Sequence, residues 1–171
     1  LHLSIRRQRQ MCIRDRFQPV STAAAGAIYT LLEAPDGSVL AGTNQGRLLR
    51  VRGDGQVDPL SAPNGISIVR RLLLDGAGRL WILGSSGAWR SRARLGSDRP
   101  VFERATPDPA ETFFDGRLDR HGRLWLAGAG GLLLIDGETQ RRFTRQDGLR
   151  DDLTGMVAET RDGVWVGYRE H

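Results

Sequence analysis

A chain of 171 residues is long enough for one ordinary domain, and its single cysteine, Cys12, excludes a disulfide framework and a thiolate metal site. The net charge of +5 does not make it a nucleic-acid binder, because residues 1–16 contribute +4 of it. The other 155 residues, with 20 arginines against 19 acids, are close to neutral and carry no basic stripe for phosphates.

No run approaches the ~18 apolar residues of a membrane helix, and the first residues lack the apolar centre of a signal peptide. Residues 1–16 read as a non-native leader, expected to be disordered. The run Met-Cys-Ile-Arg-Asp at 11–15 resembles the translation of a transposon-end adapter used in preparing sequencing libraries. It is therefore set aside from fold reasoning, as processing segments are.

Residues 17–171 read as one incomplete domain. Residues 17–26 are small and irregular. A first strand is expected over 27–33, followed by the Asp36-Gly37 turn, strands near 38–42 and 46–51, and a weak outer strand near 56–60. Residues 61–66 connect to an inner strand over 67–74. Beyond Trp81 and Trp89 comes a polar segment at 90–100, then an outer strand near 101–104. Pro107 and Pro109 confine 106–112 to a loop, because proline donates nothing to a sheet ladder. A third group runs over 113–143. After it, 145–154 feeds an inner strand around 155–159 and the turn at Asp162-Gly163. No window supports a helix, since Gly or Pro interrupts each one.

These groups repeat a single unit. Asp75-Gly-Ala-Gly-Arg-Leu-Trp81-Ile-Leu-Gly84 matches Asp119-Arg-His-Gly-Arg-Leu-Trp125-Leu-Ala-Gly128 position for position. Thr160-Arg-Asp162-Gly-Val-Trp165-Val-Gly167 is the same unit with one residue fewer in the turn. A degenerate first copy, Pro35-Asp-Gly-Ser-Val-Leu40-Ala-Gly42, has Leu40 in the Trp place. The register residues 40, 81, 125 and 165 lie 41, 44 and 40 apart. A period in the forties built from short strands indicates a propeller blade and not a helical solenoid. The expected fold is all-β: a partial β-propeller of about three to four four-stranded antiparallel blades, not a closed ring.

Each part of the unit has a mechanical reason. The carboxylates of Asp75, Asp119 and Asp162 can bond turn amides beside a glycine that accepts positive φ. Trp81, Trp125 and Trp165 each bury roughly 150–250 Å² where one blade stacks on the next. Their neighbours Leu80, Ile82, Leu124 and Leu126 point to the opposite face. The closing glycines Gly42, Gly84, Gly128 and Gly167 permit a sharp turn or a close backbone approach.

Candidate chemistry is sparse. His2 lies in the leader, His171 is terminal, and His121 fills a turn slot held by Ala77 in the preceding copy. Gly84-Ser-Ser-Gly87 lacks the spacing of a nucleophile elbow, and Gly128-Ala-Gly-Gly131 precedes no helix that could cradle a phosphate. Aspartates recurring one per blade stand too far apart for glycoside hydrolysis, whose carboxyl pairs lie about 5–10 Å apart. No catalytic, cofactor-binding or metal-ligating residue is expected. Ligand contacts are expected in the connections between blades, at 61–66, 106–112 and 145–154, with no single residue marked out.

Asp147-Gly148-Leu149, Met156-Val-Ala-Glu159 and Asp162-Gly-Val-Trp165-Val-Gly167 together resemble the two-component regulator propeller repeat. In that family an Asp-Gly-Leu loop precedes an inner strand and an Asp-x-x-Gly-x-Leu-Trp-Ile-Gly-Thr unit. Asn64-Gly65-Ile66 with residues 75–84 looks like a second copy. The copy at 119–128 lacks a clear Asp-Gly-Leu, and the first has lost its Trp but alone keeps Thr, as Thr43. The resemblance covers residues 27–167. It implies a periplasmic sensor ectodomain of a membrane-anchored, dimeric hybrid histidine kinase or diguanylate cyclase. The fragment itself would be non-catalytic, need no cofactor and meet a small-molecule or glycan-type ligand. Three alternatives remain open: a glycan-binding or glycan-processing propeller, a lyase-type propeller, and a protein-interaction scaffold. The first would carry a Ser two residues before the Asp, which every copy lacks. The second would need a histidine on the ring face, for which only His121 is available.

Overall fold

The computed structural model describes residues 19–20, 26–96 and 99–169; the expectation for the leader, 1–16, lies outside the described residues, as does His171. Blade 1 joins β1 (Ile28–Glu33), β2 (Val39–Thr43), β3 (Leu48–Val51) and β4 (Val57–Leu60) in chain order. Blade 2 comprises β5 (Val69–Leu74), β6 (Arg79–Gly84), β7 (Gly87–Arg94) and β8 (Phe102–Arg104). Blade 3 comprises β9 (Phe113–Leu118), β10 (Leu124–Gly128), β11 (Gly131–Asp136) and β12 (Thr139–Phe143). Blade 4 is represented by β13 (Thr154–Thr160) and β14 (Gly163–Tyr168). Every pairing is antiparallel between chain neighbours, and the first strands meet one another across the blades: β1 with β5, β5 with β9, β9 with β13. This is the expected partial β-propeller, and among the described residues the sheets do not close into a ring. A single 3-10 turn, Arg145–Asp147, interrupts the last connection; it is capped by Thr144 and ended by Gly148 at a φ of 99°.

Blades adhere because both faces of each sheet are apolar. Leu40, Leu48 and Leu60 of blade 1 pack on Val69, Leu72, Leu80 and Ile82 of blade 2. Trp81, Leu83 and Ala88 turn the other way, onto Phe113, Leu124, Leu126 and Leu133 of blade 3. Ala127, Leu132 and Trp125 in turn meet Val157, Val164 and Val166 of blade 4. The Trp register thus faces the following blade, and the residues on either side face the preceding one. Full burial of one such side chain stabilises by about 1.5–3 kcal/mol. The same logic explains Trp165, whose face meets no later blade among the described residues and is 66% exposed, against 4% for Trp81.

The turn aspartates do more than shape a turn. Asp119 Oδ1 accepts the amides of His121 and Arg123, both at 2.9 Å. Its Oδ2 accepts the Arg123 Nε at 2.7 Å and the Trp125 indole N–H at 3.0 Å. Asp75 makes the same set, with the Arg79 Nε at 2.9 Å and the Trp81 indole at 3.1 Å. One carboxylate therefore closes the turn and clasps the Trp that stacks on the next blade. A buried indole N–H needs such a partner.

Three sequence expectations change at this level. Asp162 does not occupy the clasp position. The shorter turn puts Thr160 there, and Thr160 Oγ1 takes the Trp165 indole at 3.1 Å, while Asp162 lends only its backbone N–H to that oxygen. In blade 1 the clasp position is Ala34, which closes the same backbone turn; Asp36 instead accepts the amide and hydroxyl of Ser38. The four closing glycines are not equivalent either. Gly84 and Gly128 pair with Val69 and Phe113 ahead of the strand irregularity, where Thr43 and Tyr168 stand in blades 1 and 4. Gly42 and Gly167 sit one register step further on, opposite Thr30 and Met156. Finally, much of the polar segment at 90–100 is strand: β7 runs to Arg94, its Ser91 hydroxyl accepts the Leu80 amide at 2.9 Å, and Arg90 pairs with Glu103 at 2.6 Å.

The Asp119 carboxyl titrates at about 2 instead of 3.8. Burial is the largest single influence and pushes it up, but the hydrogen bonds from Trp125, Arg123 and His121 together outweigh it. A folded value below the unfolded one stabilises above that unfolded value. The contribution, about 2 kcal/mol, is lost as pH falls from about 4 to about 2. Asp119→Asn is expected to remove this acid-limb dependence and to cost about 2–3 kcal/mol near neutral pH in urea unfolding. Asp162→Asn is expected to stay within about 0.5 kcal/mol; equal losses in the two variants would refute the assignment of the clasp to Asp119 and not to Asp162. By the same measurement Trp81→Ala should cost about 3–5 kcal/mol and Trp165→Ala less than about 1 kcal/mol.

Candidate ligand-binding face

Every first strand carries one extra residue near its start. The pairing skips Tyr29 between Ile28 and Thr30, Arg70 between Val69 and Arg71, Phe114 between Phe113 and Asp115, and Gly155 between Thr154 and Met156. The four positions are equivalent. They lie where the connections at 61–68, 105–112 and 144–153 enter the blades, at the end opposite the aspartate turns. A bulge leaves its residue unpaired and re-aims the side chain. Nothing in the sequence marks these positions, because Tyr, Arg, Phe and Gly share no property.

The connections predicted to hold ligand contacts are all at this end, and each is tied down. Gly46 lies so close to the Ile66 carbonyl that a Cβ there would come within 2.0 Å of the oxygen. The Ser86 hydroxyl donates to the Gly65 carbonyl at 2.7 Å, and the Gly87 amide donates to the Glu111 carbonyl at 2.7 Å. Arg142 joins the Glu111 carboxylate to the Gly130 carbonyl, so it holds the 105–112 connection against the β10–β11 hairpin. The Gly131 amide donates to the Asp152 carbonyl at 2.6 Å, and fully buried Thr154 accepts the Gly128 amide at 2.9 Å. These are ordered connections, built as a rigid rim.

Inside the rim a polar row crosses three blades. Arg71 Nε stands 3.4 Å from Asp115 Oδ1, and Asp115 Oδ2 accepts the Val157 amide at 3.1 Å. Beside it, the guanidinium carbons of Arg70 and Arg169 lie 5.1 Å and 4.4 Å from the centre of the Phe114 ring. Tyr29, Leu31 and Met156 are exposed on the same first strands. At the outer edge, Arg104, Thr106, Pro107, Glu138 and Gln140 line an open cleft of about 500 Å³ between blades 2 and 3.

Of the structural residues marked in the sequence, the closing glycines border this face, opposite residues that flank the bulges, but the aspartates and tryptophans do not. Asp75, Asp119 and Asp162 belong to the turns at the far end, and between the blades Trp81 is buried and Trp125 half-buried. His121, exposed in the Asp119 turn, is likewise at the far end and can serve no reaction on the connection face. Among the described residues no group of three His, Cys, Asp or Glu side chains is arranged to hold a metal. No helix among them is long and apolar enough to cross a membrane.

No family model matches the sequence, and no curated protein matches it. Solved structures do. The extracellular domain of BT4673 of B. thetaiotaomicron, assigned to a hybrid two-component system, superposes with a TM-score of 0.69 at 17% identity, over 83% of this chain and 20% of that one. The corresponding domain of BT3049, assigned to another such system of the same organism, gives 0.67 at 15% identity over the same shares. Virginiamycin B lyase from Staphylococcus aureus gives 0.66 at 17% identity, over 85% of this chain and 50% of the enzyme. The chain thus spans about one-fifth of the two ectodomains and half of the lyase. At such identities the likeness is one of fold, a β-propeller common to the two ectodomains and the lyase.

Proposed function

We propose that the chain is part of the extracytoplasmic, ligand-sensing propeller of a two-component-type signalling receptor, non-catalytic in itself, with its ligand meeting the connection face. The reading rests on one coincidence. The Asp-Gly-Leu and Asp-x-x-Gly-x-x-Trp motifs resemble the regulator propeller repeat, and the fold superposes on ectodomains of that same class. The periplasm is the compartment this resemblance favours, with a membrane-anchored and dimeric parent whose output is a histidine kinase or a diguanylate cyclase. A rigid rim of tied connections around first-strand bulges suits recognition, because binding then orders few residues and loses little affinity to entropy. The lyase alternative has fold likeness in its favour, but His121 stands at the wrong end of the strands for it.

Two measurements test the reading. Extending the gene should reveal a membrane helix followed by kinase or cyclase motifs, and a stop codon directly after this domain would count against a receptor. In cells carrying the full-length protein and a transcriptional reporter, replacing 106–112 and 145–154 with Gly-Ser linkers of equal length should abolish the response to the inducing glycan or small molecule. An undiminished response would remove the ligand from this face.

A further inference from the structure

We infer that Arg70, Phe114 and Arg169 form an oxyanion site on the connection face, which takes a carboxylate or sulfate group of the ligand. The three residues come from blades 2, 3 and 4. Arg70 and Phe114 are the unpaired bulge residues of their strands, and the equivalent residue of blade 4 is Gly155. Arg169 fills the space that glycine leaves: a Cβ at 155 would come within 2.5 Å of Arg169 Cγ. Both guanidiniums then lie over one Phe114 ring, at 5.1 Å and 4.4 Å from its centre.

Two like charges sharing a ring are costly unless an anion joins them. Among the described residues neither Arg70 nor Arg169 has an ion-pair partner, although many other arginines pair with carboxylates. The acid of the polar row, Asp115, is already engaged by Arg71 and by the Val157 amide. Arg70 Nε is buried and has no hydrogen-bond partner. A buried donor left unpaired costs about 1–3 kcal/mol, so an anion that draws this guanidinium outward and pairs it is rewarded. A guanidinium held over an aromatic ring keeps its charge and its N–H groups, and its planar fork can take an oxyanion by two parallel hydrogen bonds. Neutral sugars offer hydroxyls that can accept single N–H groups but carry no charge to offset the two guanidiniums.

The inference rests on the proposed ligand-binding role, yet the two can fail separately. The 171-residue chain is titrated with D-glucuronate, with inorganic sulfate and with neutral D-glucose, following the Arg70 Nε–H signal by NMR. Saturable shifts are expected with one or both anions and none with glucose. Glucuronate alone assigns a carboxylate ligand, and sulfate alone a sulfate ester. Binding should weaken as salt is raised. Arg70→Gln and Arg169→Gln should each weaken it by about tenfold or more. Gly155→Ala, which displaces Arg169 without removing a charge, should weaken it as well. Variants are compared only where their cooperative unfolding matches the parent. No saturable shift with either anion, or undiminished binding in the Arg70→Gln/Arg169→Gln double variant, would overturn the site. Binding of glucose as strong as that of the anions would overturn the oxyanion site alone and leave the receptor reading standing.

Discussion

The structure depends on one arrangement: a carboxylate in the first turn of a blade holds the indole that covers the next blade. Without it, a four-stranded sheet with two apolar faces would have no fixed seat for its largest side chain. Asp75 and Asp119 each close a turn with one oxygen and hold an arginine and a tryptophan with the other. Local turn chemistry and blade-to-blade packing are thereby the same interaction. The flanking residues, Leu80 with Ile82 and Leu124 with Leu126, cover the blade before, so successive copies of one ten-residue unit meet at these interfaces, joined there by residues of the neighbouring strands.

That coupling explains how much was legible in the sequence. Trp81, Trp125 and Trp165 mark the blade period because an indole between sheets tolerates few replacements, and the turn Asp and Gly stand at fixed distances from it. What escaped were substitutions that preserve geometry while changing residue type. Thr160 supplies by a hydroxyl what Asp119 supplies by a carboxylate, but the turn is one residue shorter, so the eye settles on Asp162. Gly84 and Gly167 look alike in the motif, yet they occupy adjacent register steps, because strand pairing and not spacing decides which residues correspond.

The candidate site was legible only as a set of connections. Residues 61–66, 106–112 and 145–154 announce themselves by Gly, Pro and Asp, and they gather on one end of the molecule. The side chains within the rim do not announce themselves. Arg70 and Phe114 meet because the first strands of blades 2 and 3 lie side by side, and Arg169, just past β14, reaches Phe114 over Gly155, while a bulge has no compositional mark of its own. Conversely, His121 was the one plausible catalytic side chain in the text of the chain. Its turn carries it away from the rim, where its imidazole lies beside Arg120 in solvent.

The bulges have a consequence for how such a domain can diversify. An unpaired residue sits outside the ladder, so its identity can drift without shifting the register of any strand. Here the four equivalent places hold tyrosine, arginine, phenylalanine and glycine within one chain. Ancestral copies of a single unit could in this way acquire unlike recognition surfaces by point substitution, while the scaffold beneath them went on folding as before.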